Sequence, residues 1–324
     1  MLFLNILLLI AGFVALVKGA DFFVDGSSAL ARTFKVPGVI IGLTIVALGT
    51  SAPELAVSTS AAIKGSNEIA LSNVVGSNIF NLMMVLGVCA IIRPIPIDKV
   101  ILKRDFPLSI GVTAALFVVL ALPLFTGASQ WDVPVSTDVS MVSRPIGIAL
   151  LVIFAAYMAY LIYISRKNPT QETVTDSIPV WKSLLLILIG LACIVLGGQL
   201  VVENAKDIAA AFGMSETLIG LTVVALGTSL PELVTSIVAA HKGEHGMAVG
   251  NVVGSNIFNL MFILGISAAI HPVAVNLASV MDLAILIVVS VAAYVFSLTN
   301  KISRFEGVMM VLMYIGTVVF AIVR

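Results

Sequence analysis

The sequence predicts an all-α polytopic membrane protein: ten transmembrane helices in two inverted five-helix repeats. Three observations carry this. Charged residues are only 10% of the 324-residue chain and hydrophobic ones 60%; a water-soluble domain has about 25% charged residues. Apolar runs near the ~20 residues that cross a bilayer as a helix recur along the whole chain. Finally, residues 42–81 align with 220–259 at a constant offset of 178, with 27 of 40 positions identical. The apolar runs are continuous and not alternating, which argues against a β-barrel.

The first span is expected at 2–30. Its start could be mistaken for a signal peptide, but no basic residue precedes the apolar run and Lys18 follows it, so we expect a retained helix. "RTFKVPG" separates it from the second span, 38–63, and "KGSNE" separates that from the third, 69–92. "RPIPIDK" leads to the fourth, 105–125. The 126–144 connection is polar, without an interpretable motif, and precedes the fifth span, 145–165. The sixth to tenth follow at 183–211, 215–240, 246–270, 279–298 and 305–323, broken by signals such as "HKGEHG" and "LTNKISR". The domains are thus 1–165 and 183–324, joined by a cytoplasmic linker at 166–182.

The distribution of basic residues orients the chain. With the N-terminus outside, twelve Lys and Arg fall in inside connections (Arg32, Lys35 and Arg93 among them) and four outside (Lys64, Arg144, Lys206, Arg324). That is a positive-inside bias, and it places both termini outside a cell membrane that the chain crosses many times. Five spans per half is odd, so the second copy enters upside down. Lys64 then falls outside and its copy, Lys242, inside. Net charge is zero, so nothing suggests a nucleic-acid partner. Cys89 and Cys193 fall in apolar segments and read as small buried hydrophobes.

The repeat is densest in polar segments: "ALGTSAPEL" (47–55) against "ALGTSLPEL" (225–233), and "NVVGSNIFNL" whole at 73–82 and 251–260. Glu54 and Glu232 stand out. A carboxylate at the bilayer centre costs about 2.5–3.5 kcal/mol on insertion scales, so such a residue marks a functional site. No Lys or Arg lies in the matching spans to neutralise either acid. Related by a pseudo-twofold axis, the two should face one another, and one divalent cation would balance them. Thr50 lies four residues before Glu54 and Ser51 three, on one helix face. Asn73, Ser77 and Asn81 recur every four residues as a polar stripe. Thr228, Ser229, Asn251, Ser255 and Asn259 repeat the pattern. All present oxygen, the donor that Ca²⁺ prefers; soft metals would want Cys or His, and His241, His245 and His271 are expected in loops. Pro53 and Pro231 should break their helices and free the carbonyls of Gly49 and Gly227. Asp21, Asp25, Glu203 and Asp207 lie towards span ends and read as interface groups or groups at the mouth of an ion path.

The paired motifs "GTSAPEL…GSNIFN" and "GTSLPEL…GSNIFN" resemble the α-repeats of the sodium/calcium exchanger branch of the cation/Ca²⁺ exchangers. The resemblance covers the hydropathy of the whole chain. It implies Na⁺-driven Ca²⁺ transport by alternating access, with spans 1 and 6 sliding over a core of spans 2, 3, 7 and 8. It also implies the ligands: side chains of Thr50, Ser51, Glu54, Ser77, Asn81, Thr228, Ser229, Glu232, Ser255 and Asn259, with carbonyls near Ala47 and Ala225. K⁺-dependent members carry Asp where this chain has Asn259, so the resemblance implies K⁺ independence. The large cytosolic regulatory domain of animal exchangers has no room at 166–182.

Two carboxylates balance one Ca²⁺ or two Na⁺. A third Na⁺ would make the exchange electrogenic, each charge moved being worth about 2.3 kcal/mol per 100 mV. Three other functions compete. Ca²⁺/H⁺ antiport could use the same fold, since buried acids also titrate, but protons need none of the extra oxygen ligands. A passive channel could use similar oxygens, yet inverted repeats with broken helices favour alternating access. An intramembrane enzyme lacks paired membrane aspartates or a Ser–His arrangement in the spans. We expect no resident cofactor, Ca²⁺ and Na⁺ as transported ions, the lipid bilayer as surroundings, and no obligatory protein partner.

Overall fold

The computed structural model describes residues 2–64, 68–126, 134–167, 178–214 and 225–323. Their order is α1 (Leu2–Thr33), α2 (Gly38–Thr50), α3 (Ala52–Lys64), α4 (68–92), β1 (Ile95–Pro96), α5 (101–126), β2 (Asp138–Val142), α6 (Arg144–Lys167) and α7 (Val180–Ala211). Then follow α8 (Ala225–Gly227), α9 (Leu230–His241), α10 (His245–Ile270), β3 (Val273–Asn276), α11 (Leu277–Ser297), β4 (Lys301–Ile302) and α12 (Arg304–Val323). Among the described residues, eight helices are long and apolar enough to span a bilayer, and the bent pair α2/α3 makes a ninth. The first ten residues of the expected 215–240 span lie outside the described residues.

Burial ranks the helices. Within their most apolar stretches, α4 and α10 are 72% and 78% buried, while α1 is 17% and α12 11% buried. The two helices that carry "NVVGSNIFNL" are therefore the most buried of the candidate spans, while α12 exposes apolar side chains such as Leu312, Ile315 and Val319. That pattern is reversed from a soluble protein and suits a hydrocarbon surround.

The chain divides into two compact units, and each takes residues from both sequence halves. The first comprises the residues up to Pro53 and Leu161–Ser255. Here α1 and α7 lie antiparallel, brought together by small residues. A Cβ on Gly12 would lie 2.9 Å from the Gly197 carbonyl oxygen, one on Gly19 2.8 Å from that of Gly190, and one on Gly26 2.7 Å from that of Ser183. The heptad spacing 12–19–26 keeps one glycine edge towards the partner over four turns. Helix α2 approaches α10 equally closely, Gly42 lying against Met247 and Gly250. Leu16, Phe23, Val46, Ile194 and Met247 fill the core between these helices. At one end, Lys242 Nζ donates to Asp25 Oδ1 at 2.7 Å and to the Asp21 carbonyl at 3.1 Å, and Arg32 pairs with Glu244 at 3.6 Å. Asp21 and Asp25 thus tie α1 to the connection before α10; Asp207 accepts from Asn5 at 3.4 Å.

The second unit comprises Glu54–Tyr160 and Asn256–Arg324. Its contacts occur in pairs with the roles of the two sequence halves exchanged. Gly87 of α4 packs on Gly307 of α12; its copy at the 178 offset, Gly265 of α10, packs on Gly147 of α6. Phe80 meets Tyr314 edge-on at 5.4 Å, and its copy Phe258 meets Phe154 at 5.7 Å. Strand β1 pairs antiparallel with β4, and β3 with β2. These two ribbons correct the all-α expectation: the chain is mostly helical, but two connections expected on one face pair with each other, as do two on the opposite face. Extended backbone between spans gains its hydrogen bonds this way. The polar 126–144 connection, which showed no motif, supplies β2. Asn78 and Asn256 complete the exchange, each side-chain Nδ2 donating to the other's backbone carbonyl at 3.2 Å.

The fourth span begins earlier than expected. Ile101–Asp105 is a π-helical turn that continues into Phe106–Thr126. Arg104, expected in a connection, therefore lies on a helix and holds the buried Asp105 through Nε at 2.6 Å and Nη2 at 2.9 Å. Tyr157 of α6 donates its hydroxyl to Asp105 Oδ1 at 2.9 Å.

Candidate functional site

Both "PEL" motifs begin a new helix. Helix α2 ends at Thr50, α3 begins at Ala52, and the axis turns by 51° between them. Ser51 sits at the break with φ −83° and ψ 10°. Its copy Ser229, at φ −98° and ψ 5°, is the N-cap of α9. Both are in the bridge region, where a chain turns and where active-site residues often sit. Pro53 and Pro231 then fall in the first turn of the new helix, where a missing N–H leaves nothing unsatisfied. The proline breaks expected from sequence are thus clean restarts. Glycine precedes each break because a neighbour crowds it: Gly49 faces Phe23 and Gly227 faces Val202.

In the first unit, Glu232 is fully buried. Its Oε1 accepts from the Ser51 hydroxyl at 2.7 Å and from Ser255 at 3.5 Å. The motif of one sequence half therefore completes the surroundings of the acid in the other. Asn251 stands behind them. Its Nδ2 donates to Ser236 Oγ at 2.9 Å and to the Glu232 carbonyl at 3.4 Å, while its Oδ1 accepts from Thr50 at 3.0 Å. Among the described residues, Glu232 Oε2 and Thr228 Oγ1 are buried without a hydrogen-bond partner. A buried carboxylate oxygen in that position carries the full desolvation penalty until something positive reaches it.

The second unit repeats the pattern around Glu54, also fully buried. Ser77 donates to Glu54 Oε1 at 3.5 Å, and Asn73 donates to Ser58 Oγ at 3.0 Å and to the Glu54 carbonyl at 3.4 Å. Asn81 and Asn259 each lie in a π-helical turn, Asn81–Val85 and Phe258–Ile263. Such turns are rare and concentrate at functional sites, since one extra residue re-aims the side chains around it. Both amide atoms of Asn81 and the Oδ1 of Asn259 are buried without partners among the described residues. Asn259 Nδ2 donates to Asn78 Oδ1 at 3.1 Å.

Thr50, Ser51, Glu232 and Ser255 thus gather in one unit, and Glu54, Ser77, Asn81 and Asn259 belong to the other. Thr228 and Ser229 occupy the break before α9, Thr228 half-buried and Ser229 fully buried. The Ala47 carbonyl accepts from the Ser51 N–H at 3.1 Å and from Thr50 Oγ1 at 3.4 Å; Ala225 opens α8. Two smaller expectations are corrected. His241 ends α9 and His245 begins α10, leaving His271 alone in a connection. Cys89 is buried, but Cys193 is half-buried beside Gly19. Sequence reasoning missed Ser58, Ser236, Asn78 and Asn256. The signal was available, since each of these pairs is identical at the 178 offset. Chemically, each acid sits among hydroxyl and amide groups that can turn an oxygen to a hard cation.

Comparison with known proteins places the chain in a family. The sequence matches the family described as "Sodium/calcium exchanger protein" over residues 4–163 and 182–323. It is 32% identical over 346 residues to the sodium/calcium exchanger MaX1 of Methanosarcina acetivorans, covering 98% of this chain and 99% of that one. It is 35% identical over 300 residues to the inner membrane protein YrbG of Escherichia coli, covering 88% and 86%. A solved structure of the sodium-calcium exchanger NCX_Mj superposes with TM-score 0.81 at 33% identity, covering 100% of both chains.

Proposed function

The chain belongs to the sodium/calcium exchanger family, and on that premise we propose that it is a secondary antiporter exchanging Na⁺ for Ca²⁺ across a membrane by alternating access. The observation that carries the proposal is the buried Glu232 carboxylate, approached by hydroxyls of Ser51 and Ser255 from different sequence halves. Its copy Glu54 has the same relation to Ser77. NCX_Mj, a similar protein of known structure, has been soaked with Na⁺ and Ca²⁺. In this chain both glutamates serve the transported ions, helped by Thr50, Ser51, Ser77, Asn81, Thr228, Ser229, Ser255 and Asn259 and by carbonyls near Ala47 and Ala225.

Ten spans in two inverted halves are part of the proposal. The exchanged contacts of the second unit support it, because a twofold operation that swaps the halves returns each contact to its copy. Antiparallel α1 and α7, packed closely along a glycine edge, suit movement as one pair in the sliding that alternating access needs. Exchange is electrogenic, since two acids leave the third Na⁺ uncompensated. It is K⁺-independent, since Asn259 adds an oxygen without a charge.

The test is ⁴⁵Ca²⁺ uptake into proteoliposomes of purified protein. An outward Na⁺ gradient should drive uptake in K⁺-free buffer, and an inside-positive potential should speed it. Uptake that follows a pH gradient alone and ignores Na⁺ would replace this reading with Ca²⁺/H⁺ antiport.

A further inference from the structure

Asn78 is buried on α4, one residue past Ser77, and its repetition as Asn256 does not by itself say what it does. Its surroundings do. A side-chain amide has one oxygen that accepts and one nitrogen that donates, and the two can exchange places by a half-turn. Asn78 cannot make that turn without loss, because its Nδ2 donates to the Asn256 carbonyl at 3.2 Å. Its Oδ1 is thereby aimed at Asn259, whose Nδ2 donates to it at 3.1 Å. Asn259 is fixed in turn, with its nitrogen engaged and its Oδ1 buried and without a partner among the described residues.

We propose that Asn78 is a positioning residue of the ion site, fixing the Asn259 amide so that its oxygen, not its NH₂, is presented to the cation. This rests on the proposed Na⁺/Ca²⁺ exchange and adds the group that sets the polarity of one ligand. A turned Asn259 would offer a cation two N–H donors. The two sequence halves are not equivalent in this respect. Asn81, the copy of Asn259, has neither amide atom bonded among the described residues, and Asn256, the copy of Asn78, leaves its Oδ1 unused. Asn256 nevertheless shares with Asn78 the reciprocal bonds between helices. It is therefore an internal control: removing either amide breaks the reciprocal pair, but only removing that of Asn78 releases Asn259.

The experiment measures Na⁺-driven Ca²⁺ uptake against Ca²⁺ concentration for wild type, Asn78→Ala, Asn256→Ala, Asn259→Ala and Asn78→Ala/Asn259→Ala. N78A should raise the half-saturating Ca²⁺ by about tenfold, a loss of about 1.4 kcal/mol, with a smaller change in maximal rate. N259A should do the same, and the double variant no more than either, because groups that act through one another are not additive. N256A should stay within about twofold of wild type. Equal effects of N78A and N256A, or effects that multiply in the double variant, would overturn the proposal and leave Asn78 a packing residue. If N78A does not elute as a folded protein, Asn78→Ser, too short to reach Asn259, is read by the same criteria. Absence of Na⁺-driven uptake in the wild type would instead count against the exchange itself.

Discussion

The Ser51 hydroxyl donates to Glu232 Oε1 at 2.7 Å, across 181 residues of sequence. A hydroxyl of the first motif is thus part of the shell of the second motif's acid. Hydrogen bonds to charged groups contribute about 1.5–3 kcal/mol. Ser51→Ala should therefore raise the half-saturating Ca²⁺ by about 10- to 100-fold. Ca²⁺ uptake curves of the variant check this, and an unchanged curve would remove Ser51 from the site.

Asn251 holds that arrangement from behind, through Thr50, Ser236 and the Glu232 carbonyl. Asn251→Ala leaves buried polar groups unpaired, at about 1–3 kcal/mol. Asn73→Ala breaks the equivalent bonds to Ser58 and the Glu54 carbonyl. Both variants should melt lower in detergent by similar amounts. A variant that melts with the wild type would show its amide to be dispensable.

Much of this was legible in the sequence. Glu54 and Glu232 declared themselves because an acid in an apolar run is expensive, and the 178 offset named their companions. Among the described residues, the eight long helices and the bent pair α2/α3 lie within a few residues of the spans that hydropathy places, since only a fully hydrogen-bonded helix tolerates lipid. The ribbons were not legible. Ile95 and Pro96 pair with Ile302 and Lys301 because the spans bring two distant connections together, and no local signal in either marks a strand. The π turns at Asn81 and Asn259 were hidden as well, since periodicity reads a helix without its local widening. Asn78 was passed over because it points off the Asn73–Ser77–Asn81 stripe, and its role is visible only once Asn259 and Asn256 are placed around it.

In the second unit, part-buried Arg104 and buried Tyr157 close on the buried Asp105. Removing one partner of a buried ion pair costs about 3–5 kcal/mol, because the other charge stays buried. Arg104→Ala should therefore lower the melting midpoint strongly, whereas Asp105→Asn with Arg104→Met, which removes both charges, should recover much of the loss. No recovery in the double variant would mean that the pair itself is needed.

The α1–α7 contact depends on missing side chains. Gly19→Val would place a Cβ 2.8 Å from the Gly190 carbonyl and 2.9 Å from the Ile194 nitrogen, so the helices must part. Overpacking of this kind destabilises by about 1–3 kcal/mol. Gly316→Ala in α12 meets no atom within 4 Å, and should stabilise by about 0.5–1 kcal/mol through the backbone alone. Thermal melts of the two variants give opposite shifts if helix contact is the cause.

The most direct measurement replaces each acid by its neutral isostere and follows Na⁺-driven ⁴⁵Ca²⁺ uptake. Glu54→Gln and Glu232→Gln keep the shape of the side chain but remove one charge and replace one acceptor oxygen by an NH₂ donor. Each should cut uptake by about 100-fold or more, in line with the 3–5 kcal/mol lost when a buried charge loses its partner, while the protein still elutes as a folded species. Uptake at wild-type rates in either variant would contradict the proposal that both glutamates serve the transported ions.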